Sequence, residues 1–84
     1  MTPDEALQNV AKALKPESLN TLQIEVFRKS WHKQTYYEIA IELNHGYGYI
    51  KDVGAELWRL LSQELKIKVT KKNLQTAVEQ YVQQ

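Results

Sequence analysis

The chain has 84 residues, of which 43% are hydrophobic and 25% charged, and it carries a formal net charge of +1 and no cysteine. This size and composition are typical of one small globular domain with a modest core. Disulfides and thiolate metal sites are excluded, and no apolar run approaches the roughly 20 residues that cross a bilayer. Because no signal peptide is recognisable, we expect a cytoplasmic protein that does not associate with a membrane.

Each of the first three predicted helices begins with a capping box, in which an N-cap residue and a residue three positions later cap each other's backbone N–H groups. Apolar residues recur at helical spacing after each box. We predict a first helix that ends near Lys15-Pro16, a second that ends near Trp31, and a third over residues 35–43. The boxes are Thr2 with Glu5, Asn20 with Gln23, and Thr35 with Glu38.

The fourth helix follows a turn that contains Gly46, which we predict to adopt the left-handed conformation that ends a helix. We predict this fourth helix over residues 47–66. Gly54 lies on its apolar side, which predicts the close approach of another helix. The apolar stripe consists of Ile50, Val53, Leu57, Leu60, Leu61 and Leu65.

A fifth helix is predicted to follow Thr70 as its N-cap. No segment shows the alternating pattern of a half-buried strand. The predicted fold class is therefore all-α, a five-helix domain over residues 1–84 built on a tetrahelical helix-turn-helix. Residues 35–43 would form its supporting helix and residues 47–66 its recognition helix. The predicted core between these two helices consists of Ile39, Leu43, Ile50, Val53, Leu57 and Leu61.

The charge is distributed unevenly along the chain. Residues 38–64 carry a net charge of −3, whereas residues 26–37 and the tail from residue 65 carry +3 each. These basic flanks could clamp a DNA backbone on both sides of the recognition helix, or they could only solvate helix ends. The candidates for such a clamp are Arg28, Lys29, Lys33, Lys66, Lys68, Lys71 and Lys72.

The outward face of the recognition helix has two interpretations. As a DNA reader it would use Lys51 and Arg59, although Asp52 and Glu56 disfavour contact with phosphate. As a protein-docking surface it would use aromatic anchors at its tip. The face is predicted to present Lys51, Asp52, Ala55, Glu56, Arg59, Ser62 and Gln63. The residues selected for contact with DNA or with a partner are Tyr47, Tyr49, Lys51, Asp52, Ala55 and Arg59.

The sequence predicts no catalytic residue, no cofactor and no metal site. His32 and His45 have no neighbouring ligand at a spacing typical of a metal site. Glu38 and Glu42 are expected to be solvated on an exposed helix face. The segment Gly46-Tyr47-Gly48 lacks the strand-loop-helix context of a phosphate-binding loop.

Self-association is a separate hypothesis. Trp31 and Trp58 flank the apolar stripes of their helices, and a tryptophan left partly outside a small core often marks a contact surface. Val78 and Tyr81 could join two copies through the last helix, and a homodimer is therefore one prediction. The alternative is that these two residues cover the first helix within one molecule.

Several segments together resemble the N-terminal helix-turn-helix domain of vWA-MoxR-associated proteins from cyanobacteria. They are Leu19-Asn20-Thr21-Leu22-Gln23, Val26-Phe27-Arg28-Lys29-Ser30-Trp31, Thr35-Tyr36, Glu38-Ile39-Ala40, Tyr49-Ile50-Lys51-Asp52-Val53-Gly54, Leu57-Trp58 and Lys68-Val69-Thr70-Lys71. The resemblance extends from about Thr2 to Tyr81. It implies a non-enzymatic input or docking module ahead of nucleotide-binding ATPase modules in signalling or biological-conflict systems.

A more distant resemblance links the chain to LuxR-type regulators and to region 4 of sigma factors. Those LuxR-type sequences place serine or threonine before the recognition helix, where this chain has Gly46-Tyr47-Gly48. A module that binds double-stranded DNA is the first functional hypothesis, since the fold type favours it and the flanking lysines permit it. The alternative is a protein-docking or adaptor domain that uses the same surface.

Overall fold

The fold consists of five α-helices and one short 3-10 turn. A computed structural model describes residues 1–84, except for the side chain of Pro16. The elements are α1 (Pro3–Val10), the 3-10 turn (Pro16–Ser18), α2 (Thr21–Trp31), α3 (Tyr36–Leu43), α4 (Tyr47–Leu65) and α5 (Leu74–Val82). The predicted all-α class is confirmed, and the described residues contain no β-strand.

All three predicted capping boxes are present, and each closes the first turn of its helix. In the box of α3, the backbone N–H of Glu38 donates to Thr35 Oγ1 over 3.1 Å, and the N–H of Thr35 donates to Glu38 Oε1 over 2.8 Å. The boxes join residues three positions apart, so they form without help from the rest of the fold.

The core lies where α2 and α3 pack against α4 and where α1 packs against α5. Helix α2 is central, because it also contacts α1 and α5. Of the predicted core residues, Leu43 and Val53 are half-buried at the edge of this cluster. The other four, Ile39, Ile50, Leu57 and Leu61, are fully buried as predicted.

The turn between α3 and α4 differs from the prediction. Gly46 has an ordinary backbone φ of −68° and serves as the N-cap of α4. The left-handed residue is Asn44, with φ of 58°, and its N–H donates to the carbonyl groups of Ala40 and Ile41. Asparagine tolerates this conformation better than most residues other than glycine, so it can end α3.

The prediction for the start of α5 was wrong by one turn. The N-cap is Asn73, and the helix begins at Leu74. Thr70 and Asn73 nevertheless cap each other. The N–H of Thr70 donates to Asn73 Oδ1 over 2.7 Å, and the N–H of Asn73 donates to Thr70 Oγ1 over 3.1 Å. This reciprocal pair closes the turn before the helix. A pairing typical of a capping box can therefore also stabilise a turn.

Both tryptophans are buried, with 5% of Trp31 and 7% of Trp58 exposed. The prediction that they mark a contact surface was therefore wrong. The indole N–H of Trp31 donates to the carbonyl of Met1 over 3.2 Å. Val78 is fully buried where α5 packs against α1, as the alternative interpretation expected. A homodimer stays a prediction that no longer rests on the tryptophans.

Candidate recognition surface

Helices α3 and α4, with the short turn between them, are the two helices predicted to form the helix-turn-helix pair. Tyr36, at the start of α3, lies across Gly54 in the middle of α4. A Cβ atom on Gly54 would lie 2.6 Å from Cε1 of Tyr36 and 2.7 Å from its hydroxyl oxygen. The predicted close approach at Gly54 is therefore confirmed, and the neighbouring group is a tyrosine ring.

The outward face of α4 is largely as predicted. The exposed residues on it are Lys51, Asp52, Ala55, Glu56, Arg59 and Gln63. Ser62 is the exception, because it is half-buried and its hydroxyl is bonded on both sides to the backbone of Val69. It accepts from the Val69 N–H over 2.8 Å and donates to the Val69 carbonyl over 3.2 Å. Ser62 therefore holds the segment after α4 and does not face a ligand.

Arg59 is held by a carboxylate one helical turn away. Its Nε donates to Glu56 Oε2 over 2.9 Å and its Nη2 donates to Glu56 Oε1 over 2.6 Å. This bidentate pair lowers the pKa of Glu56 and raises the pKa of Arg59. A DNA phosphate would have to compete with Glu56 for the guanidinium group.

Three of the predicted backbone-clamp residues already have partners within the protein. Arg28 pairs with Asp4 over 2.9 Å and with Glu25 over 3.2 Å. Lys29 pairs with Glu42 over 3.0 Å, and its hydrogen bond lowers the pKa of Glu42.

Lys71 is the third of these residues. It donates to the backbone carbonyl of Gln34, and its Nζ lies 5.3 Å from the centre of the Tyr36 ring. Burial lowers the pKa of Lys71, and the charge of Glu38 only partly opposes this effect. The remaining candidates are exposed, and no carboxylate in the described part of the chain pairs with them: Lys33, Lys66, Lys68 and Lys72.

An exposed apolar surface on α3 was not predicted from the sequence. Tyr37 and Ile41 are each 64% exposed. They are four residues apart, so they lie on one face of the helix. Tyr37 also lines a shallow cavity of about 300 Å³ together with Thr35, Tyr36, Tyr47 and Lys71. We call Tyr36, Tyr37, Ile41 and Tyr47 the tyrosine surface. The sequence does contain a sign of this surface, because Tyr37 and Ile41 are apolar but lie outside the buried stripe of α3.

The two aromatic residues at the tip of α4 have different surroundings. Tyr47 is 50% exposed, lines this cavity, and has the Nζ of Lys51 5.8 Å from its ring centre. Tyr49 is 55% exposed and packs against His45, with 5.4 Å between the ring centres. The structure therefore brings Tyr47, Lys51 and Lys71 near one cavity and leaves Tyr49 beside the turn.

A family model described as the vWA-MoxR associated protein N-terminal HTH matches residues 1–81. The chain belongs to this family. No curated protein and no solved structure matches the chain. The family match includes α1 to α4 and most of α5, so it covers both helices beside the cavity. The resemblance seen in the sequence is confirmed at the level of this family.

Three further features of this family member were found. A cleft of about 500 Å³ between α1 and α2 is lined by the ion-paired side chains of Asp4, Glu25 and Arg28, and also by Lys29 and His32. Among the described residues, no three His, Asp or Glu side chains come together as a metal-ligand set. No helix in the described chain is both long enough and apolar enough to cross a membrane.

Proposed function

We propose that this helix-turn-helix domain is a non-catalytic module that docks a protein partner on the tyrosine surface. The observation that supports this most directly is the exposure of Tyr37 and Ile41 on one face of α3, where Tyr37 also lines the cavity that Tyr47 lines. Exposed apolar residues gathered in one place mark interaction sites, and tyrosine is among the residues that contribute most to binding energy at interfaces.

The charges of α3 and α4 favour a protein over DNA as the ligand. Residues 38–64 carry a net charge of −3, and this segment includes most of α3 and α4. Asp52 and Glu56 are exposed on the face that would enter a major groove, and Glu56 holds Arg59. Binding to DNA draws its affinity from cations that replace condensed counterions, and on this face two carboxylates offset the two cations, so it would gain little from the phosphate backbone.

Binding to double-stranded DNA is the second candidate function. It is favoured by the exposed lysines that have no carboxylate partner in the described part of the chain. They lie at the end of α2 (Lys33) and from the end of α4 onward (Lys66, Lys68 and Lys72). Together with Lys51 they could contact phosphates on both sides of α4.

The family resemblance suggests where a docking module would act. It implies a module that stands ahead of ATPase modules in cyanobacterial signalling or conflict systems. We propose that this domain likewise recruits an effector or a sensor protein to such an ATPase. Residues 1–84 would then act as one helix-turn-helix unit, with α3 as the supporting helix.

The experiment compares two variants that change the two surfaces separately. The first is Tyr37→Ser with Ile41→Ser, which removes exposed apolar side chains. The second is Lys51→Glu with Arg59→Glu, which reverses the cations of α4. Each variant and the wild type are titrated into labelled duplex DNA at low and near-physiological salt, and each is used to select binders from a library of displayed peptides.

We expect the wild type to select peptides and to show only weak DNA binding. The Tyr37/Ile41 variant should lose the selected peptides, and the Lys51/Arg59 variant should not lose all of them. DNA binding that weakens steeply with salt and is lost in the Lys51/Arg59 variant, without peptide selection, would instead establish the second candidate.

A further inference from the structure

Resting on the proposed docking function, we propose that the cavity between the starts of α3 and α4 binds an acidic peptide segment of the partner. An apolar side chain of that segment would lie against Tyr37 and Tyr47. An adjacent carboxylate would bind the ammonium group of Lys71, with Lys51 as a second contact.

The walls of the cavity suit a side chain of a peptide. Three tyrosines and one threonine line it, and Lys71 is the only charged residue among the lining side chains. Its volume of about 300 Å³ is at the lower end of the range for ligand pockets, so it has room for a side chain but not for a large cofactor. Ile41, one helical turn after Tyr37 on the same face of α3, is exposed and offers a further apolar contact.

At this cavity the two ammonium groups of Lys71 and Lys51 outnumber the one nearby carboxylate, that of Glu38, whereas residues 38–64 as a whole carry a net charge of −3. The Nζ of Lys71 lies 5.3 Å from the centre of the Tyr36 ring, and the Nζ of Lys51 lies 5.8 Å from the centre of the Tyr47 ring. Neither ammonium group is paired with a carboxylate in the described part of the chain. Two lysines held over aromatic walls are complementary to an acidic segment and would repel a basic one.

Lys71 has hydrogen-bonding capacity left for a ligand. An ammonium group has three donors, and the carbonyl of Gln34 accepts one of them. The nearby carboxylate of Glu38 is occupied as the cap of Thr35, whose N–H donates to it over 2.8 Å. Lys71 is also partly desolvated, which lowers its pKa. A carboxylate from a partner would offset this cost.

The experiment selects binders from a library of random linear peptides of about twelve residues displayed on phage. We expect the selected sequences to combine an aromatic or leucine side chain with an adjacent aspartate or glutamate. The strongest peptide is then synthesised with a twin in which each carboxylate is replaced by its amide. Fluorescence anisotropy compares the two peptides on the wild type and on Lys71→Gln, Lys51→Gln and Lys12→Gln.

Lys12→Gln is the matched control, because Lys12 is exposed and lines a separate cavity with Tyr81. We expect Lys71→Gln and the amide twin each to weaken binding by about tenfold, the effect of one charge-assisted contact. Lys12→Gln should bind as the wild type does. Lys71→Gln also removes the hydrogen bond to the carbonyl of Gln34, so its thermal melt is recorded. Lys51→Gln removes a positive charge near the cavity without removing such a bond.

Each other outcome overturns a stated part of the proposal. Selected peptides that carry no acidic residue, or that bind both lysine variants normally but not the Tyr37/Ile41 variant, overturn the acidic ligand and leave the docking function standing. The absence of any selected peptide overturns both. Dimerisation of the wild type that Lys71→Gln abolishes would show that a second copy, and not a partner peptide, occupies the cavity.

Discussion

The indole N–H of Trp58 donates a 2.8 Å hydrogen bond to the hydroxyl of Tyr36 and so joins the middle of α4 to the start of α3. Tyr36 reaches this position only because Gly54 leaves room for its ring. The same ring forms a wall of the cavity beside Tyr37 and Tyr47. The position of α3 against α4, and with it the geometry of the tyrosine surface, therefore depends on this pair.

Tyr36→Phe tests this bond, because it removes the acceptor and keeps the ring. The indole N–H of Trp58 would be left unpaired in a largely buried site, so we expect a loss of about 1–2 kcal/mol in the free energy of unfolding. Urea unfolding measures it. Tyr37→Phe is the matched control, since that tyrosine is exposed, and it should change stability by less than about 0.5 kcal/mol. Equal effects of the two variants would contradict the role of the bond.

The effect of Gly54→Ala on the free energy of unfolding should differ in sign between proteins with tyrosine and with alanine at position 36. In the wild type, the new Cβ would meet the ring of Tyr36, and we expect a destabilisation of about 1–3 kcal/mol. In a Tyr36→Ala background the clash is absent, and the higher helix propensity of alanine should stabilise by about 0.5–1 kcal/mol. Unfolding of the four proteins gives the coupling energy. A coupling near zero would contradict the contact.

Two serines in helices should respond to alanine in opposite directions. The hydroxyl of Ser30 is buried and has no hydrogen-bond partner among the described residues, so Ser30→Ala should raise the free energy of unfolding by about 0.5–1 kcal/mol. Ser62→Ala should lower it by about 1–2 kcal/mol, because the N–H of Val69 loses its acceptor. Thermal melts of both variants check this. A loss of stability in Ser30→Ala would indicate that its hydroxyl has a partner in solution.

Lys66 ends α4 in a left-handed conformation, with φ of 58°. Glycine adopts this conformation without the strain that a side chain brings, so Lys66→Gly should stabilise the domain by about 0.5–1 kcal/mol. Lys66→Ala removes the same charge but keeps the strain, and it should not stabilise. The difference between the two melting temperatures measures the backbone effect separately from the loss of the lysine.

Two carboxyl groups should contribute to unfolding in acid. The backbone N–H of Thr2 lowers the pKa of Glu5 from its usual 4.5, and the ammonium of Lys29 does the same for Glu42. A carboxyl whose pKa is lowered on folding stabilises the protein above its unfolded pKa. This stabilisation disappears as the pH falls below 4.5 towards the folded value.

Variants without these carboxyl groups should therefore lose less stability in acid. Glu5→Gln keeps a capping box, as Gln23 does in α2, and Glu42→Gln removes only the ion pair. We expect the double variant to show a smaller fall in melting temperature between about pH 6 and about pH 3 than the wild type. Circular dichroism measures the melting temperature of each protein at each pH. The same pH dependence in the two proteins would contradict the assignment.

The sequence alone determined the features that depend on residues a few positions apart. The three capping boxes join residues three positions apart, and the stripe through Ile50, Leu57 and Leu61 follows the period of a helix. These rules need no tertiary contact, so the all-α class and the helix-turn-helix could be predicted. The same rules were less reliable at turns. Asn44 and Gly46 can each end a helix, and the sequence does not say which of them ends α3. The pairing of Thr70 with Asn73 resembles the start of a helix but closes the turn before α5.

The candidate site was decided by contacts between residues that are far apart in the chain. Arg28 meets Asp4 across 24 positions, and Lys71 meets Gln34 across 37, so the list of basic residues did not show which of them have partners. Tyr37 and Tyr47 share a cavity only because the packing of α3 against α4 brings the starts of these two helices together. Hydrophobic periodicity says which face of a helix is buried. Only tertiary packing decides which exposed side chains from different helices become neighbours, because that depends on how the helices are placed in space.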